Sequence, residues 1–241
     1  MEDPDILIHP RKGKKEQDVP PVGLLLVNTT EARKGAERLL ENGGQDQFLF
    51  NAKLVVDHQR GGFVAGPAIG APMAVMTMEK LIALGAQRIV LCGWCGAISP
   101  LRQVGDVLVP DSALAGEGTS KYYPCAGADT VDSAFAAEIR EHLNGHDLMT
   151  TDSKIWSTDG IYRESRTMLN RLYKEHGVEA VDMEFSALCA AARFRGIRFA
   201  GVLIVSDLLY EESWKPGFGS QRFKQRSQQV LDLMLEFCRK N

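Results

Sequence analysis

The sequence predicts one three-layer α/β domain, and three observations predict it. Apolar runs of strand length, such as Val22-Gly-Leu-Leu-Leu-Val27 and Phe199-Ala-Gly-Val-Leu-Ile-Val205, read as strands buried on both faces. These runs alternate with stretches whose apolar residues recur at helical spacing, the order that builds a sheet covered by helices. At 241 residues the chain is long enough to bury a sizeable core and short enough to be one domain.

Residues 1–21 are polar, carry Pro4, Pro10, Pro20 and Pro21 and the basic run Arg11-Lys-Gly-Lys-Lys15, and read as an arm ahead of the domain at 22–241. The strand at 22–27 leads to a helix capped by Thr29 or Thr30, running to Leu40 and stopped by Asn42-Gly-Gly44. Strands follow at 53–56 and 62–65. Pro72 near its first turn and Gly85 past its end bracket the next helix, whose Ala74, Met78, Leu81 and Ile82 share one inward face. Residues 88–92 form a strand that Gly93 to Gly96 break sharply, and 107–109 form a short one. A loop carrying Glu117-Gly-Thr-Ser-Lys-Tyr-Tyr123 comes next. Helices are expected at about 132–143, 164–175, 184–195 (ended by Gly196) and 220–239.

Composition excludes several classes. A net charge of -3 with mixed signs gives no reason to expect nucleic acid or an anionic membrane as partner. No run of about 18 apolar residues is present to span a bilayer. Met1-Glu-Asp-Pro-Asp5 lacks the basic and apolar regions of a secretory signal, so the expected location is cytoplasmic. Five cysteines, an odd number without an export signal, argue against a disulfide framework. Cys92-Gly-Trp-Cys95 has C-x-x-C spacing, but a zinc site needs two more ligands, and no second C-x-x-C or H-x₃₋₅-H supplies them. No metal is therefore expected. A thiol–disulfide site is the third-ranked reading of the chain, behind two small residues in a tight core turn.

The chemistry-bearing residues lie in two places. Val181-Asp-Met-Glu184 precedes a helix-like run, and the strand at 199–205 ends in Ser206-Asp207. Glu184 can accept hydrogen bonds from a vicinal diol, and Asp207 can hold or release a proton. That pair suits breaking a bond between a sugar and a base. The bland alternatives are a glutamate at a helix N-terminus favoured by the macrodipole, and an aspartate capping a loop.

Seven motifs in order resemble the nucleoside phosphorylase/nucleosidase superfamily, which includes hexameric purine nucleoside phosphorylases, uridine phosphorylases and methylthioadenosine nucleosidases. They are Gly66-Pro-Ala-Ile-Gly-Ala-Pro72, Gly93-Trp-Cys-Gly-Ala97, Val104-Gly-Asp-Val-Leu-Val-Pro110, Glu117-Gly-Thr-Ser120, Ser157-Thr-Asp-Gly-Ile-Tyr162, Val181-Asp-Met-Glu184 and Val205-Ser-Asp207. The resemblance implies a mixed central sheet flanked by helices, and cleavage of the N-glycosidic bond of a nucleoside. It also implies a homo-oligomer (dimer, trimer or hexamer), because family sites form at or near subunit contacts. No metal or organic cofactor is implied, only phosphate as co-substrate if cleavage is phosphorolytic.

By the same resemblance, Met183 and Glu184 bind the ribose, and Asp207 protonates or hydrogen-bonds a purine at N7. Cys95, Gly96, Tyr162 and Ser206 form the base side. Ile161 stands where the family often has the first aromatic of a Phe-Tyr pair, and Trp156 is either a substitute or a core residue. The phosphate site departs most from the family pattern. Arg33 lies one place beyond the expected arginine, Leu91 replaces a second one, and Trp94 replaces a Thr or Ser. A phosphate dianion needs cationic donors or several free N–H groups. Three outcomes stay open. Water is the acceptor, or arginines come from elsewhere (Arg33, Arg60 or a neighbouring subunit), or the chain binds a nucleoside without turnover. The retained Glu184 and Asp207 speak against the last.

Overall fold

A computed structural model describes residues 5–240 and shows a mixed sheet flanked by helices. Its strands are β1 (Val22–Leu26), β2 (Gln45–Gln47), β3 (Lys53–Val56), β4 (Phe63–Gly66), β5 (Arg88–Ala97), β6 (Val107–Leu108), β7 (Ser112–Gly116), β8 (Thr150–Thr151), β9 (Lys154–Thr158), β10 (Val178–Asp182), β11 (Arg198–Leu208) and β12 (Lys215–Pro216). The helices are α1 (Thr29–Glu41), α2 (Ala71–Ala83), α3 (Ser133–Asn144), α4 (Arg166–His176), α5 (Phe185–Arg195) and α6 (Gln221–Lys240).

The centre of the sheet is β5, which is parallel to both β1 and β11. Its partner changes along its length. β1 pairs with it from Arg88 to Cys92, and antiparallel β10 takes over at Gly96 and Ala97. Between these stretches no strand among the described residues pairs with that edge of Gly93–Cys95. Such a switch in strand order opens a crevice at the carboxyl ends of parallel strands, where α/β sheets bind ligands.

Three expectations are corrected. Gly93 to Gly96 do not break β5. They continue it, because β11 pairs with the strand through Ala97 and a side chain has no room at the glycines; a Cβ at Gly93 would lie 2.7 Å from Val27 Cγ2. Neither Thr29 nor Thr30 caps α1, because both lie inside it and Asn28 holds the N-cap without a side-chain bond. The arm is not loose throughout, since Lys80 Nζ donates to the Arg11 carbonyl, Lys80 pairs with Glu16, and Val19 is buried. Met1 to Pro4 lie outside the described residues.

Elsewhere the expected local signals operate. Ser165 Oγ accepts from Met168 N to start α4, and left-handed Gly177 and Gly196 end α4 and α5. β11 pairs with β5 over nearly its whole length, with one extra residue, Ser206, between the Val205–Cys95 and Asp207–Gly96 pairs.

Candidate active site

The starts of two helices, α2 and α5, and the ends of two strands, β10 and β11, lie near Gly96 of β5. Glu184 is the N-cap of α5 and is only 5% exposed. Gly70, the N-cap of α2, donates its backbone N–H to Glu184 Oε1 at 2.6 Å, and Met183 N lies 3.3 Å from Oε2. An Arg195–Glu79 ion pair at 2.7 Å ties the end of α5 to the second half of α2. Burial, and then the charge of Asp182, push the Glu184 carboxyl up to about 8. Hydrogen-bond donors reaching the carboxylate would favour the charged form and oppose that shift.

A second layer of polar groups fixes this turn. Asp182, at the end of β10, accepts from Ser157 Oγ at 2.5 Å and from Phe185 N at 2.8 Å. Ser186 N donates to Ser157 Oγ, and Ser186 Oγ donates to Glu117 Oε1 at 2.9 Å. The other Glu117 oxygen accepts from the amides of Thr119 and Ser120. Burial outweighs these donors at Asp182, whose carboxyl is pushed up to about 6. Sequence reading assigned no role to Asp182 or Glu117. The signal was present in the motifs that contain them, but their partners lie 25 and 69 positions away.

Asp207 lies near the end of β11, paired with Gly96. Ser206 Oγ donates to Oδ1 at 2.6 Å and stands 3.2 Å from the Cys95 carbonyl, while Trp214 Nε1 donates to Oδ2 at 2.7 Å. Gly96 faces this carboxylate, and a Cβ there would lie 3.2 Å from Asp207 Oδ2 and 2.7 Å from Leu209. Only glycine leaves that approach clear.

The remaining candidates fall as follows. Cys95 is buried in β5 next to Gly96. Tyr162 is 95% exposed and Ile161 is exposed, so neither covers the crevice within this chain. Trp156 is a core residue packed with Ile98, Leu169 and Val181. Arg33 projects from the outer face of α1 and pairs with Glu37 at 2.7 Å, and Arg60 bonds Asn42. Leu91 is fully buried in the sheet. Trp94 packs against Phe218 and Phe223, and its Nε1 is buried without a hydrogen-bond partner among the described residues. Asn28 Oδ1 and Glu31 Oε2, just after β1, are likewise buried and unpartnered, and sequence reading missed both.

Cys92 and Cys95, three apart on one strand, point to opposite faces. Both are buried, and burial pushes both thiols well up, which opposes thiolate chemistry. Among the described residues no group of three His, Cys, Asp or Glu is placed to hold a metal ion, and no helix is long and apolar enough to cross a membrane.

Known proteins share this architecture. The guanosine phosphorylase of Halorubrum lacusprofundi is 30% identical over 145 residues, covering 60% of this chain and 59% of that protein. A DeoD-type purine nucleoside phosphorylase of Bacillus cereus is 26% identical over 183 residues, covering 73% of this chain and 72% of its own. The crystal structure of Toxoplasma gondii purine nucleoside phosphorylase with immucillin-H superposes with a TM-score of 0.81 at 19% identity, covering 100% of this chain and 98% of that one. That likeness establishes the shared fold. The family model described as the phosphorylase superfamily matches residues 29–236, most of the described domain, and the chain belongs to that superfamily.

Proposed function

We propose that this protein cleaves the N-glycosidic bond of a nucleoside, with a purine-type base favoured. The observation that carries the reading is the placement of two carboxyls around Gly96, which pairs with Val181 on β10, three residues before the buried Glu184 that the Gly70 amide fixes, and with Asp207 on β11. Glu184 accepts the two ribose hydroxyls and holds the sugar while its anomeric carbon becomes electron-poor; its negative charge favours that oxocarbenium-like state. Asp207 hydrogen-bonds the base at the ring nitrogen where charge develops on departure. The names of the guanosine and purine nucleoside phosphorylases support the purine reading. No metal or organic cofactor has a part in this scheme.

A second observation bears on the acceptor. Phosphate is the acceptor that the relatives' names imply, and Arg33 and Trp94 are the residues proposed for it. Arg33 is engaged on the outer face of α1, however, and the buried atoms without partners after β1 are two acceptors, Asn28 Oδ1 and Glu31 Oε2. Acceptors suit the two O–H groups of a water and oppose a dianion. Hydrolysis is the second reading on that ground.

Exposed Phe48, Phe50 and Ile69, the last next to Gly70, support a homo-oligomer whose subunit contact adjoins the site. A cytoplasmic location fits this reading. The deciding experiment is a nucleoside panel with and without phosphate, following free base and sugar product by chromatography. Ribose 1-phosphate as sole sugar product assigns phosphorolysis, and free ribose released without phosphate assigns hydrolysis. Tight nucleoside binding with no release of base would make this a binding protein and overturn the enzymatic reading.

A further inference from the structure

The two oxygens of Asp207 are held by donors of different kinds. Oδ1 accepts from Ser206 Oγ at 2.6 Å, and Ser206 is buried in β11. Oδ2 accepts from Trp214 Nε1 at 2.7 Å, and Trp214 is 58% exposed. Oδ2 is also the oxygen beside Gly96, 3.2 Å from where a Cβ would stand there. The oxygen next to the glycine is thus held by the exposed donor of the pair.

The indole is loosely packed, while the backbone around it is tied. The ring beside it is Phe218, 6.3 Å away between centroids and itself part-exposed. Lys215 and Pro216 pair with Leu208 and Asp207, Leu209 N donates to the Ala97 carbonyl, and Arg166 Nη2 donates to the Glu212 carbonyl. Trp214 can therefore leave Asp207 by turning about its own side-chain torsions, with the hairpin between β11 and β12 staying in place. An indole is a flat bicyclic ring with an N–H on its five-membered ring, and a purine carries a nitrogen on a ring of the same shape. A carboxyl placed to meet one is placed to meet the other.

We propose that Trp214 is an internal occupant of the base position, holding the Asp207 oxygen that a nucleoside takes, and that the ligand binds by displacing the indole. The inference rests on the glycosidic-cleavage reading. Part of the binding free energy is spent on breaking the Trp214–Asp207 bond, so the contact restrains affinity for any base that reaches Asp207. Displacement also removes a donor that favours the charged carboxylate. Asp207 then takes up a proton from solvent more readily and can donate a hydrogen bond to a ring nitrogen that carries none.

The test separates binding from cleavage with 9-deazainosine, whose carbon–carbon glycosidic bond stays intact and whose ring carries N–H at position 7, the direct replacement for the indole N–H. W214F keeps an aromatic ring and deletes the competing donor, so its Kd for 9-deazainosine should be at least about tenfold lower than that of the unaltered protein. Fluorine NMR of protein labelled with 5-fluorotryptophan supplies the second readout. Of the resonances from the three tryptophans, the one missing in W214F belongs to Trp214, and it should shift as 9-deazainosine saturates the unaltered protein. An equal or higher Kd in W214F would overturn the proposal, and so would a Trp214 resonance that stays put at saturation. If neither protein binds 9-deazainosine and no nucleoside in the panel is cleaved, the glycosidic reading itself fails, a pattern distinct from both of those results.

Discussion

Gly70 and Glu184 are 114 positions apart in sequence and 2.6 Å apart in space, joined by one backbone N–H to a carboxylate oxygen. The bond couples the start of α2 to the start of α5 and sets where the carboxylate lies. Gly70 adopts φ 84 and ψ 146, a conformation that side chains rarely take. Gly70→Ala is therefore expected to cost about 1–3 kcal/mol through strain, even though no atom lies within 4 Å of the new methyl. The check is thermal unfolding combined with KM for a ribonucleoside; a lower Tm and a raised KM should appear together.

Asp207→Asn removes the carboxyl that can hold or release a proton at the base while keeping its shape. Turnover of a 6-aminopurine or 6-oxopurine nucleoside should fall by at least about 100-fold with the fold intact. Trp214→Phe deletes only the N–H that reaches Asp207 and should cost no more than about tenfold. Steady-state rates of the two variants, with circular dichroism as a control, provide the measurement. Wild-type turnover in the Asn variant would remove Asp207 from the mechanism.

Glu184→Gln weakens charge-assisted bonds to the ribose hydroxyls, worth roughly 1.5–3 kcal/mol each. Ribonucleoside affinity should drop by a decade or more. In the unaltered protein the carboxyl is pushed up to about 8, and the hydroxyls need the charged form. Affinity should therefore strengthen as pH rises toward that value, and the trend should vanish in Glu184→Gln. The stability of the free protein runs the other way. A raised carboxyl in the folded state contributes stability that is fully present below its ordinary value of 4.5 and is lost as pH rises through about 8. Denaturant melts across that window should show a shallower slope in the variant.

Cys92→Ala should leave nucleoside cleavage nearly intact, because the thiol is buried and on the opposite face of β5 from Cys95. Mild oxidation of the unaltered protein supplies the complementary measurement. A reversible loss of activity that this substitution abolishes would restore the redox reading.

How legible these features were in the sequence depends on how local their causes are. α4 and α5 are bounded by neighbours in sequence, Ser165 and two left-handed glycines, and their ends matched expectation within two residues. β7, β9 and β10 escaped notice. Ser112-Ala-Leu-Ala-Gly116 has no run of β-branched residues, and these strands exist because they pair with one another. The glycines of β5 looked like a break because glycine weakens an isolated strand, whereas here packing on both sides excludes anything larger. Glu184 and Asp207 were visible because each sits at the edge of a regular element. Gly70, Glu117 and Ser157 became meaningful only once the sheet brought them to the same turn.

The extra residue in β11 decides which way the acid points. In an unbroken strand Val205 and Asp207, two apart, would project to the same side, and Val205 is wholly buried in the apolar core. Ser206 uncouples them, because Val205 stands opposite Cys95 and Asp207 opposite the adjacent Gly96. The aim of this carboxyl is thus a matter of counting rather than of composition. Substitutions along β11 can change its packing and leave the direction alone. Were the bulge absorbed into regular pairing, with Ser206 opposite Gly96, the acid would turn toward the core side, leaving every chemical group present and the crevice without its carboxyl.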